Sequence, residues 1–149
     1  MSNLLSFEII WQDDDLVEIR VLASNDTFSG STEVYTNYSE LKKFAHELEG
    51  FPKSIEQFVS FICGEKKSYA LAELDFYCFS NSGHTGVQVK LEANTSSNQR
   101  KNEKHSICLE IQFESSAADD FVTGLKKLIE NKSGKAELHG ISPFVQNIE

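Results

Sequence analysis

The chain has 149 residues, of which 40% are hydrophobic and 25% charged, a size and balance that bury roughly 70% of the unfolded surface without help from disulfides or metal. Lys and Arg number 14 against 23 Asp and Glu, a net charge of -9, which repels nucleic-acid phosphates and suits a basic protein partner. No apolar run approaches the ~20 residues that span a bilayer, and Met1 to Glu8 lacks the basic start of a signal peptide. The expectation is a single cytoplasmic domain over 1–149 with a flexible tail from about 143, and no membrane or nucleic-acid partner.

Two strands are predicted over Phe7 to Trp11 and Leu16 to Ala23, where Val17, Ile19 and Val21 alternate with Glu18 and Arg20. The turn between them holds Asp13, Asp14 and Asp15, whose short carboxylates bond nearby backbone amides. A third strand is predicted over Thr27 to Thr36. Asn37 and Glu40 then form a capping-box pattern ahead of Leu41, Phe44, Ala45 and Leu48 at helical spacing. Gly50, Phe51 and Pro52 make a helix stop.

Ile55 to Cys63 fits helix or strand, with strand favoured. Tyr69 to Phe79 alternates clearly, and Val87, Val89 and Leu91 follow after the turn Ser80 to Gly83, so a hairpin is predicted. Beyond the polar stretch Asn94 to Lys104, which carries the basic cluster Arg100, Lys101 and Lys104, Ile107 to Phe113 adds another strand. Ser115 or Ser116 is the expected cap of a second helix with Phe121, Leu125, Leu128 and Ile129 inward and Gly134 at its close. Ala136 to Ile141 suits a short edge strand. No internal repeat is evident, and the pattern predicts an α+β fold: one mainly antiparallel meander sheet of about six to seven strands carrying two helices.

Chemistry is sparsely marked. The cysteines Cys63, Cys78 and Cys108 lie in strand-like segments without metal-ligand spacing, so reduced, buried thiols are expected and neither metal nor cofactor is called for. His46, His105 and His139 lack sequence partners. His84 opens the strand after a hairpin whose first strand holds Asp75 and Tyr77, a carboxylate, phenol and imidazole that would form a pocket rim if the register cooperated. No nucleophile elbow, zinc-helix motif or phosphate loop occurs. Trp11 with Asp13, Asp14 and Asp15 suits a docking patch with an aromatic anchor, or equally a solvated turn beside a core tryptophan.

The run Phe28 to Tyr35, the helix end Leu48 to Pro52, and Glu73 to Tyr77 leading to Ser82-Gly83-His84-Thr85-Gly86 together resemble a family of small uncharacterised bacterial α+β proteins, immunity-protein-like. The charge balance and the missing catalytic motifs make a non-enzymatic cytoplasmic protein-binding domain the leading expectation; the resemblance, which brings no catalytic residues, implies an immunity-type neutraliser of a basic toxin. Two other readings stay open: a small-molecule-binding or hydrolytic domain with a pocket between helix and sheet, and a structural homo-oligomer.

Overall fold

In the computed structural model, which describes residues 2–64, 70–94 and 104–143, the order is β1 (Leu4–Gln12), β2 (Val17–Ser24), β3 (Ser29–Thr36), α1 (Tyr38–Leu48), β4 (Val59–Gly64), β5 (Ala70–Cys78), β6 (Thr85–Asn94), β7 (Lys104–Phe113), α2 (Ser115–Asn131) and β8 (Lys135–His139). The α+β class and antiparallel pairing are as expected, but the single meander sheet is not. The strands divide into a first sheet, β3-β2-β1-β8, and a second, β4-β5-β6-β7, of four strands each. Only the second is a pure meander.

The division follows a repeat of connectivity that the sequence does not display. Three antiparallel strands, a helix and a further strand occur twice, as β1–β4 with α1 and as β5–β8 with α2. In each case the strand after the helix leaves its own unit: β4 pairs with β5, and β8 pairs with β1, from Leu4 opposite His139 to Glu8 opposite Lys135. Each sheet is thus completed by the other unit's last strand.

Strand alternation decides which side chains go inward. Val17, Ile19, Val21 and Ala23 on β2, and Val87, Val89 and Leu91 on β6, are buried, and they join the stripes Leu41, Phe44, Ala45, Leu48 of α1 and Ala118, Phe121, Val122, Leu125, Leu128 of α2 in one cluster. At its centre the Phe44 ring stacks on Phe61 at 4.4 Å, and Phe7 meets Phe121 edge-on at 5.5 Å. Each such ring buried contributes about 1.5–3 kcal/mol through removal from water. Lys126 of α2 reaches Glu49 at the end of α1, at 2.7 Å.

The helix ends differ in how far local signals set them. Asn37 caps α1 by accepting the Glu40 amide at 2.8 Å, while Glu40 returns no side-chain bond; Gly50, at φ 70°, closes the helix as predicted, and the Phe51–Pro52 bond beyond it is cis. α2 is capped by neither Ser115 nor Ser116. Its N-cap is Glu114, without a side-chain bond, because the chain enters the helix directly off the last β7 pair, Phe113 opposite Thr85. Lys132, in the left-handed region, ends it before Gly134.

Other expectations shift by a few residues. Ile55 and Glu56 form a turn and β4 starts only at Val59; Phe28 precedes β3 and is exposed. Cys63 is buried, but Cys78 is half-buried and Cys108 exposed, because Cys108 has the outward parity of β7. Arg100 and Lys101, and the tail from 144, lie outside the described residues. No described helix is long and apolar enough to cross a membrane.

Candidate protein-docking faces

One face of each sheet lines the core. The other carries exposed side chains, among them Tyr35 on the first sheet and Ile62 on the second. On the first sheet, β1 would keep Leu5, Phe7, Ile9 and Trp11 on one side if its pairing with β2 were regular. The register instead shifts between Ile9, opposite Ile19, and Trp11, opposite Glu18. This one-residue bulge turns Trp11 to the outer face. There it is 46% exposed and meets Tyr35, 53% exposed, edge-on at 6.1 Å across Glu18. Trp11 is therefore not a core tryptophan.

The end of the strand that carries Trp11 is tied down. Gln12 donates its side-chain amide to the Lys132 carbonyl at 2.7 Å and accepts from the Tyr38 hydroxyl at 2.6 Å, while the Lys132 ammonium lies 5.7 Å from the Tyr38 ring centre. These contacts fix the backbone end next to Trp11, so less freedom of the strand is lost when a partner settles there.

Of the three aspartates beside it, Asp13 is engaged by the turn itself. One carboxylate oxygen accepts the Leu16 amide at 2.7 Å and the Asp15 amide at 2.8 Å, which hold its carboxyl below the usual range. Asp14 and Asp15 are exposed and face solvent beside Leu16, also exposed. Next along the outer face, a row of alternating sign crosses all four strands: Lys135, Glu8, Arg20 and Glu33. Arg20 bridges its neighbours, 2.7 Å from Glu33 and 3.4 Å from Glu8.

The second candidate group, Asp75, Tyr77 and His84, is not assembled. Asp75 and Tyr77 project from β5 on the outer face of the second sheet, opposite Gln88 and Gly86. His84 sits beyond the ladder, stacked on Phe79 at 5.9 Å with its Nδ1 2.7 Å from the Ser80 hydroxyl. It lines a cavity of about 800 Å³ with Phe51, Pro52 and Asp119, which neither Asp75 nor Tyr77 touches. Tyr77 donates instead to Glu110, and burial together with that carboxylate raises its phenol above the ordinary value.

A cavity of about 480 Å³ that the sequence did not suggest lies where β3 passes the far end of β6 and β7, lined by Phe28, Ser31, Leu91, His105, Ser106 and Cys108 among others. Its residues come from strands remote in sequence, and no local pattern pointed to it. Among the described residues no group of three or more His, Cys, Asp or Glu is placed to hold a metal ion. No protein-family model matches the chain, and no curated protein matches it.

Proposed function

We propose that this protein is a non-enzymatic binding module that engages a basic protein partner through the outer face of its first sheet. The observation that carries the reading is the bulge at Ile9–Trp11, which uses a register shift to put the sole tryptophan outside, against Tyr35 and beside the Asp13–Asp15 turn. An aromatic anchor surrounded by carboxylates has the anatomy of an interface centre with a charged rim. If the immunity-type resemblance holds, the partner is a basic toxin met in the cytoplasm.

The test is capture from the source organism's lysate with wild-type chain, Trp11→Ala and an Asp14→Lys, Asp15→Lys double variant, each at low and high salt. A basic protein retained in near-stoichiometric amount by the wild type, lost with Trp11→Ala and captured more slowly and with less salt dependence by the charge reversal, supports the reading. Identical retention by all three chains removes this face from it.

A second reading, small-molecule binding, is favoured by the cavity of about 480 Å³ between β3 and β7, within the usual size of ligand pockets. A ligand at a hundred times its Kd raises stability by about 2.7 kcal/mol. A thermal-shift screen of metabolites that moves wild type but not Leu91→Trp would favour it.

A further inference from the structure

β3 of the first sheet and β7 of the second are both edge strands. The cavity of about 480 Å³ lies between their open edges, with Ser29 and Ser31 on one wall and Ser106 and Cys108 on the other. Which backbone groups face it follows from the ladders, because in an antiparallel strand the N–H and C=O of one residue point to the same side and successive residues alternate. On β7 the Gln112 carbonyl accepts the Ile141 amide at 2.8 Å, and the Glu110 carbonyl accepts the Asn25 side-chain amide at 3.1 Å, both from the side away from β6. Cys108 and Ser106 continue that parity, so their N–H and C=O groups also point away from β6. Just ahead of β3, the Phe28 carbonyl accepts the Asn25 amide at 2.9 Å and so points to β2. Ser29 and Ser31 have the other parity and turn their backbone groups away from β2.

The backbone groups of these four residues make no hydrogen bond among the described residues. The open edge of β7 is therefore filled in order along the strand: by an extended segment at Gln112, by a side chain at Glu110, and by no described group at Cys108 and Ser106. The pairing of Ile141 shows that this edge accepts an extended chain.

The gap is tied at both ends. Asn25 joins the β2–β3 turn to Glu110, and the Thr32 hydroxyl donates at 2.8 Å to the carbonyl of Glu92, the residue opposite Ser106. Such ties preform the slot, so a ligand need not open it. Its floor is apolar, made by Gly30, Leu91 and Ile107. A methyl group on Gly30 would stand 3.1 Å from the Ile107 side chain, so the slot is closed toward the core. No Asp, Glu, Lys or Arg is among its described lining residues, in a chain of which 25% is charged.

We infer that the slot between β3 and β7 is a docking site for an uncharged, extended segment of a partner protein, which pairs through its backbone with both walls and lays alternate apolar side chains on Leu91 and Ile107. The outward groups of every second residue recur about 6.6–6.8 Å apart along each wall. An extended chain repeats its donors and acceptors at that spacing and a small metabolite does not. Affinity in such strand addition comes from main-chain hydrogen bonds, and specificity from the alternate side chains. The slot needs no contact with the Trp11 face, although the assumption that the segment belongs to a protein partner rests on the binding-module reading above.

The test is selection of a phage library of random peptides, about nine residues long as in a long strand, on the full chain at physiological salt. Enriched peptides should be uncharged, with apolar residues at every second position. They should bind Ser106→Pro and Ser31→Pro at least about tenfold more weakly than wild type, because proline at an edge position removes an outward N–H and leaves the ladder intact. N-methylation of one pairing amide of the peptide should cost at least about tenfold as well, and decides the matter even if a proline variant fails to fold. In the ¹⁵N-labelled chain the bound peptide should slow hydrogen exchange at Ser29, Ser31, Ser106 and Cys108. No enriched peptide, full tolerance of N-methylation, or protection of another surface overturns the inference. A metabolite that stabilises wild type and Ser106→Pro alike, with no peptide enriched, gives the cavity to a small ligand instead. A partner captured through Trp11 without any peptide response removes the slot and leaves the Trp11 face standing; the reverse result keeps the slot and removes that face.

Discussion

The two sheets share connectivity, register and a common core, yet their outer faces have diverged. The first has a bulge, an exposed Trp11–Tyr35 pair and a row of charges that neutralise one another through Arg20. The second has regular pairing through β5, a buried glycine, Gly86, and the carboxylates Asp75 and Glu110, which accept from Ser60 and Tyr77 rather than from a cation among the described residues. Folding constrains the inward parity of a strand, because a misfitting side chain there has no solvent to escape into; Ile19, Val21, Val87 and Val89 occupy that parity and are buried. The outward parity is left to chemistry. Differences in that outward parity, where burial does not restrict the residue, are those expected of surfaces under separate functional demands.

The comparison breaks first if the core is not shared. Phe44 of the first unit stacks on Phe61 of β4 and also meets Phe121 of the second unit. Phe44→Ala should therefore cost about 3–5 kcal/mol and lower a single urea transition shared by probes in both sheets. Two separated transitions would mean that the sheets are independently stable.

The next largest contrast is between thiols. Burial pushes the Cys63 thiol up to about 12, while Cys108 lies exposed on the outer face. A disulfide reagent at pH 8 should modify Cys108 at least about a hundredfold faster than Cys63, which reacts only through opening of the structure. Mass mapping of the first modified residue reads the outcome directly.

Helix entry gives a smaller difference. Asn37→Ala should cost about 1 kcal/mol, since a bonded cap is lost, whereas Glu114→Ala should change stability by less than about 0.5 kcal/mol, as no cap bond exists to lose. Equal losses in urea denaturation would show that the two helices start by the same means after all.

The smallest effects are electrostatic. Arg20→Gln removes the guanidinium that bridges Glu8 and Glu33 and should lower Tm slightly, with the difference vanishing in high salt. Hydrogen bonds hold the carboxyls of Asp13, Asp26 and Glu49 below their ordinary values, chiefly from the Leu16 amide, the Ser142 hydroxyl and Lys126 respectively. Their native values lie below the unfolded ones, so this contribution is complete above about pH 4 to 5 and is lost as pH falls through the native values. Asp26→Asn should flatten that acid limb of the urea midpoint.

Local signals made the elements legible. Alternation over 70–78, the Asn37 cap and the Gly50 stop all carried their meaning within a few residues. The division into two sheets was not legible, because it depends on β8 crossing to β1, and no local period encodes a partner more than a hundred residues away. The candidate docking face was half legible: Trp11 and its aspartates stand out in sequence, but a bulge changes which side a residue takes without changing the residues.

The exchange of final strands also sets a timetable for the nascent chain. β1 is made first among these strands, and its edge away from β2 must wait for Lys135–His139 before it is paired. At about 5–20 residues per second that interval is on the order of ten seconds, during which Leu4, Leu5 and Phe7 border an open strand edge. Synthesis, rather than the finished fold, is the stage at which this chain is most open to pairing with a neighbour.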